Sequence, residues 1–225
     1  MLGLKKKIVF SLLAEKGAKG LRLKELEEAS GLRGAVIREM LRGMSSVEIE
    51  KERVRLRSVS GFLVETWVRG CNVIEVALKA GWRDFEDFVS EVLARFGYVT
   101  LRNLAFKAYR KRFQVDVVGA LRPVVLVVDC KKWSRARTYH LKQAALAQAA
   151  RAQALCKCPP ARLRNIVRGW SEAAVIPVVV SLLPGSVRVF EGVPLVPIAL
   201  FPSFLSELDT HREELLHYTL TAKGV

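Results

Sequence analysis

Val115-Asp-Val-Val-Gly119, followed by Pro123-Val-Val-Leu-Val-Val-Asp-Cys-Lys131, is the stretch on which the reading of this chain turns. The second segment is a continuous apolar run of the kind that suits a strand covered on both faces. It ends on Asp129 and Lys131, and the period of two puts those side chains on one face. The first segment closes an alternating strand at Val115-Asp116. If the two strands are neighbours, Asp116 and Asp129 meet at one edge of the sheet. Two such carboxylates repel each other and resist burial, unless a hard cation such as Mg²⁺, which prefers oxygen ligands, sits between them. An ammonium from Lys131 beside them suits two tasks: orienting or helping deprotonate an attacking water, and stabilising charge on a phosphate.

The surrounding sequence is basic. Thirty-seven Lys and Arg against 22 Asp and Glu give a net charge of +15, an excess that favours a polyanionic partner through phosphate neutralisation and counterion release. From Arg102 to Lys142 there are 11 basic residues, and the only acids are Asp116 and Asp129. Arg110, Lys111, Arg112, Lys132 and Arg135 are the candidate nucleic-acid contacts of this stretch. Gln143, near the start of the helix that follows, faces either the site or solvent. Trp133, Tyr139 and His140 either stack on a strand of nucleic acid or simply pack.

Working outward, residues 82–225 alternate elements. Phe85, Phe88, Val89, Val92, Leu93 and Phe96 recur at helical spacing over 84–96. Strands are expected at 98–108, 112–120 and 123–131, a helix at 139–155, then strands at 173–182 and 186–190, and a closing helix over 203–220 capped by Ser203. A strand, a crossover helix and a second strand imply an α/β sheet with at least one parallel pair. At about 100° per residue, Glu86 falls on the border of the apolar stripe of the first helix, while Asp87 and Glu91 face away. Glu86 is therefore the acid best placed to reach the sheet edge.

Residues 1–58 have the order of a winged helix-turn-helix. An amphipathic helix over 4–15 precedes Leu23–Leu32, a short helix stopped by Gly31, and a second helix follows over 33–43. Val47-Glu-Ile-Glu-Lys-Glu-Arg-Val-Arg-Leu-Arg57 then alternates around a polar reversal, as a hairpin wing does. Arg33, Arg38 and Arg42 on the second helix would meet DNA if this unit reads a groove; protein contact or dimerisation is the alternative use. Residues 59–81 read as a connecting helix.

Other chemistries lack their residues. With three histidines and no Gly-x-Ser-x-Gly elbow, a nucleophilic triad has little support, and no Gly-rich loop followed by Lys and Ser or Thr is present. Cys71, Cys130, Cys156 and Cys158 have poor zinc spacing and read as structural or incidental thiols. No run reaches the roughly 18 uncharged apolar residues of a membrane span. The N-terminal lysines lie inside an amphipathic segment without a signal h-region, so a cytoplasmic location is expected.

Phe85-Glu86 on a first helix, then Gly97-Tyr98, Val115-Asp116-Val-Val-Gly119 and Val128-Asp129-Cys130-Lys131, resembles the PD-(D/E)XK nuclease superfamily, especially Mrr-like restriction enzymes and archaeal Holliday-junction resolvases. The resemblance covers 82–155 well and the remainder weakly, and Val115 stands where the superfamily name has proline. It implies a restriction-endonuclease-like mixed sheet flanked by helices, and Mg²⁺- or Mn²⁺-dependent hydrolysis of phosphodiester bonds in DNA. It also implies a homodimer, as many nucleases of this fold are, since a duplex has two strands to cut. Glu86 resembles the helix acid, Asp116 and Asp129 the metal ligands, and Lys131 the catalytic lysine; the Cys130 carbonyl would be a further ligand. The competing reading is a DNA-binding regulator or scaffold that keeps the fold without turnover, with Asp129 and Lys131 as a strand-end ion pair.

Overall fold

A computed structural model of the chain describes residues 2–71, 85–132 and 138–221. The chain divides into two compact units, 1–91 and 92–225.

The first unit holds α1 (Leu2–Lys16), β1 (Leu21–Arg22), α2 (Leu23–Ser30), α3 (Gly34–Leu41), β2 (Val47–Glu50), β3 (Arg53–Leu56) and α4 (Val59–Val68). Gly31, in the left-handed region at φ 63°, terminates α2, where a side chain would carry a steric cost. The Glu27 carboxylate accepts the Gly34 amide at 2.5 Å, and a Cβ on Gly34 would come within 2.7 Å of Leu23 Cδ2. That close approach sets the turn between α2 and α3. The hairpin β2–β3 is antiparallel, with Val47 opposite Leu56, and β1 adds to β3 in the order β1-β3-β2. Phe10, Leu13, Leu26, Ile37, Val54 and Phe62 form its interior. Ser58 caps α4 by accepting the Gly61 amide at 3.1 Å. The helix expected over 59–81 is seen only as α4: it ends at Val68 in a turn at Arg69 and Gly70, where Gly70 takes φ 78°, and 72–81 lie outside the described residues.

Helix α5 (Phe85–Arg95) spans the division between the units. In the second unit follow β4 (Val99–Ala108), β5 (Lys111–Leu121), β6 (Val124–Lys131), α6 (Thr138–Lys157), α7 (Ala161–Ile166), β7 (Glu172–Ser181), β8 (Val189–Phe190), β9 (Val193–Pro197), α8 (Phe201–His211) and β10 (Tyr218–Thr221). Seven strands make one mixed sheet in the order β4-β5-β6-β7-β9-β8, with β10 on β7. The β6–β7 and β7–β9 pairs are parallel, and β4–β5, β5–β6, β8–β9 and β7–β10 are antiparallel. The apolar run of β6 is buried on both faces, as its composition requires.

Strand β7 carries Pro177 in its middle, where a missing amide would normally break a ladder. The arrangement of its neighbours accommodates it. One edge of β7 pairs with β6 over 174–181, while the other is shared: β10 takes 172–175 and β9 takes 179–181. Pro177 falls between them.

Three expectations are corrected. The closing segment is not one helix: α8 ends at His211, and Tyr218-Thr-Leu-Thr221, alternating and β-branched, is a strand. Ser203 does not cap α8, which begins at Phe201 with Pro202 in its first turn, where proline's fixed φ is already helical. The strand expected over 186–190 is only Val189–Phe190. It pairs with β9, a strand whose pattern is obscured by Pro194 and Pro197.

Candidate functional site

Strand pairing places the two central carboxylates together. The β5–β6 ladder ends at Val117 opposite Val128, and one further step in that register sets Asp116 across from Asp129. There the strands stop exchanging backbone bonds. The Cys130 amide instead donates to Oδ2 of Asp116 at 2.8 Å, so a side chain replaces the next rung. On the other side of β5, the β4–β5 ladder skips the step between Asn103 and Asp116, and Asn103 lies at φ 50°. Asp116 therefore sits where both of its neighbours are locally irregular, a pattern that clusters at functional sites.

Asp129 is buried at the end of β6, its side chain 5% exposed. Lys131 donates to Oδ1 at 3.1 Å, and Nη1 of Arg151 donates to the same oxygen at 3.3 Å. Oδ2 lies 2.9 Å from the Lys131 ammonium but has no hydrogen-bond donor aimed at it among the described residues. The short distance is a charge contact without hydrogen-bond alignment, and it leaves one lone-pair direction of a buried carboxylate open. Burial pushes the Asp116 carboxyl above the usual carboxylate range. The Cys130 amide pulls it back, the Asp129 charge raises it further, and Lys131 and Arg151 lower it.

Helix α6 supplies two residues that sequence reasoning missed. Gln148 is fully buried, and its amide donates to the Val127 carbonyl at 2.6 Å while its oxygen accepts from Arg151 at 3.0 Å. Gln148 thus holds Arg151 toward Asp129. The signal was present in the sequence: Leu141, Ala145, Gln148, Ala152 and Leu155 recur at steps of three and four, so a glutamine stands on the buried stripe of an Ala-rich helix. Gln143, the glutamine singled out from sequence, is exposed. Tyr139 and His140 are exposed as well, and Trp133 and Arg135 lie outside the described residues.

Glu86 occupies the first turn of α5 and is counted with the first unit. Glu86, Asp87 and Glu91 are all half-buried, so burial does not single out Glu86 as the helical wheel does. Among the described residues no three His, Cys, Asp or Glu stand together as a metal cage. The described cysteines are free thiols; burial pushes the Cys156 thiol up to about 12, which keeps it protonated.

The basic candidates divide into two groups. Arg110, Lys111 and Arg112 are exposed at the β4–β5 hairpin, and Lys132 is exposed past the end of β6. Ala108 pairs with Lys111, and the two loop residues, Tyr109 and Arg110, both have positive φ, the geometry of a type I′ turn. Since β5 starts at this hairpin, it projects from the sheet end that carries the carboxylates, about 17 Å beyond Asp116. In the first unit Arg33 is exposed. Arg38, by contrast, is engaged with the hairpin turn, donating to the Lys51 carbonyl at 2.6 Å and to Glu52 at 2.8 Å, and Arg42 pairs with Glu39 at 2.9 Å.

No family model matches the chain, and no curated protein does. Two solved structures are similar to it. One, described as a crystal structure of protein of unknown function AF1548, is 15% identical over 43% of this chain and 44% of its own, with a TM-score of 0.30. The other, protein VC1899 from Vibrio cholerae, is 12% identical over 94% of this chain and 55% of its own, with a TM-score of 0.32. The chain spans about half the length of these proteins. Overlaps this loose carry no functional argument. Among the described residues no helix is long and apolar enough to cross a membrane.

Proposed function

We propose that this protein is a Mg²⁺- or Mn²⁺-dependent nuclease that hydrolyses phosphodiester bonds in DNA. In this reading the second unit is a restriction-endonuclease-like domain, and the first is a winged helix that recruits substrate. The observation that carries the proposal is the buried Asp129 carboxylate, one oxygen of which has no hydrogen-bond donor among the described residues, set by register across from Asp116 and beside Lys131.

The donor set fits a hard divalent cation. Such ions are typically held by one or two carboxylates with water and phosphate oxygens completing the shell, and Asp116 and Asp129 are two carboxylates of that kind. Asp116 and Asp129 would hold the ion. The Cys130 carbonyl would join them, because the N–H and C=O of one strand residue leave on the same edge and its N–H already meets Asp116. When bound, the ion lowers the pKa of a water and neutralises charge developing on the phosphate. Lys131, on the face it shares with Asp129, would orient the attacking water or donate to a scissile phosphate oxygen. Arg151, donating to Oδ1, holds Asp129 in its orientation. The exposed cations of the β4–β5 hairpin bind the flanking phosphates.

Purified Asp129→Ala and Lys131→Ala proteins should bind DNA yet lose metal-dependent cleavage; cleavage equal to that of the unaltered chain would sink the assignment. Glu86→Ala tests whether the helix acid takes part, and mass measurement in solution tests the proposed homodimer. A second reading has its own support: Lys131 and Arg151 already neutralise Asp129, as they would in a DNA-binding scaffold without turnover. Calorimetric titration with Mn²⁺ separates the two, since the scaffold needs no ion.

A further inference from the structure

At the opposite end of β6 from Asp129 and Lys131 lies a second concavity. Arg122 precedes the strand, and the Ala174 amide donates to the Pro123 carbonyl at 2.9 Å, which brings the β6 start to the segment leading into β7. That segment turns tightly after α7. The Trp170 amide donates to the Val167 carbonyl at 3.0 Å, and Gly169 takes φ 81° with nothing within 4 Å of the place a Cβ would occupy. The result is a cavity of about 640 Å³ lined by Arg122, Arg164, Asn165, Arg168 and Trp170, with no acidic residue in its wall. Its size lies within the range of about 300–1,000 Å³ of small-molecule sites.

Three features define what it would take. Arg122, Arg164 and Arg168 are exposed and make no ion pair among the described residues, so three guanidinium groups share one cavity without a counter-charge. Trp170 is half-buried, packed against the core cluster of the sheet while lining the cavity. That anchoring fixes its ring as a platform. Finally, the chain from Cys130 to Ser171 holds ten Lys or Arg and no Asp or Glu, and the next acid, Glu172, is not part of the cavity wall. Guanidinium forks recognise phosphate oxygens, and an indole stacks on a base only if that base is unpaired.

We infer that this cavity binds one nucleotide of a single-stranded polynucleotide, phosphate on the arginines and base on Trp170. The site is separate from the proposed cleavage centre: Val124 and Asp129 are five residue steps apart along the strand, about 17 Å. Its occupancy does not require turnover.

The test uses the full chain in EDTA, with fluorescence anisotropy of labelled oligodeoxyuridylate and oligouridylate, which differ only in the sugar, each of about 12 nucleotides, a length within the span of such grooves. Duplex DNA and inorganic phosphate are the controls. Arg164→Ala/Arg168→Ala should weaken single-strand binding about tenfold or more, and should flatten the slope of log affinity against log salt by about 0.7 for each phosphate contact removed. Trp170→Ala should weaken binding with the slope unchanged, and Trp170→Phe, which keeps the core packing, should retain most of it. Equal loss with both polymers assigns the shared nucleotide chemistry; loss with one alone assigns the sugar. Unchanged affinity and slope in the folded double-arginine variant would overturn the inference, as would competition by inorganic phosphate as effective as by oligonucleotide. Failure here leaves metal-dependent cleavage untouched, and absence of cleavage leaves pocket-dependent binding untouched.

Discussion

Arg151 reaches from the middle of α6 to place Nη1 3.3 Å from Oδ1 of Asp129, 22 residues earlier in the chain. The guanidinium orients a carboxylate that the proposed chemistry needs ionised. Arg151→Met keeps the aliphatic stem and removes the charge, and should lower metal-dependent cleavage about 10- to 100-fold, the usual effect of losing an outer-shell partner. Single-turnover rates, with DNA affinity measured alongside, check this; affinity should change far less than rate.

Gln148 joins Arg151 to the backbone of β6 from a fully buried position. Gln148→Ala removes buried volume and strips Arg151 of one acceptor, and should destabilise the fold by about 2–4 kcal/mol. Urea denaturation should show a lower midpoint with an unchanged slope.

Tyr109 and Arg110 both occupy left-handed backbone in a two-residue turn where Asn-Gly would be unstrained. Replacing the pair by Asn-Gly should stabilise the protein by on the order of 1 kcal/mol. It should also weaken duplex binding, with the salt slope flattened by about 0.9 for the phosphate contact of Arg110. Stabilisation without any loss of binding would remove the hairpin from the proposed interface.

Glu65 gives the first unit a pH signature. Burial pushes its carboxyl up, but the hydroxyls of Ser45 and Ser46, together with the amides of both residues, donate to it and carry it below its ordinary value of 4.5. The unfolded chain then binds the proton more tightly. The stabilisation is present above about pH 4.5 and is lost as pH falls through the folded value. Glu65→Gln should accordingly cost stability at about pH 7 and much less at about pH 3, as read by thermal melts at the two values.

Much of the second unit was legible because its signals are local. The apolar run of β6, the alternation ending at Asp116 and the spacing of α5 each follow from side-chain periodicity, and pairing β5 with β6 brings Asp116, Asp129 and Lys131 together. The α2–α3 turn was legible for a similar reason, since only glycine suits the conformation at Gly31. What was hidden is long-range. Nothing near Arg151 announces that it faces a carboxylate 22 residues away, and of the two uses open to Gln143 near the start of the helix, site or solvent, the structure turns it to solvent. Strand β9 was obscured by its prolines, and β10 was absorbed into a helix because its pairing on β7 bridges more than 40 residues, from Val175 to Tyr218.

The shared edge of β7 divides the labour of the sheet. Strand β10 guards the half near Trp170, and β9 guards the half beside Asp129 and Lys131, with amide-free Pro177 as the joint between them. Local unfolding of the C-terminal strand would therefore loosen the arginine-lined end and leave the carboxylate end paired. In amide exchange the two halves should open as separate units, so one end of the sheet is insulated from disorder at the other.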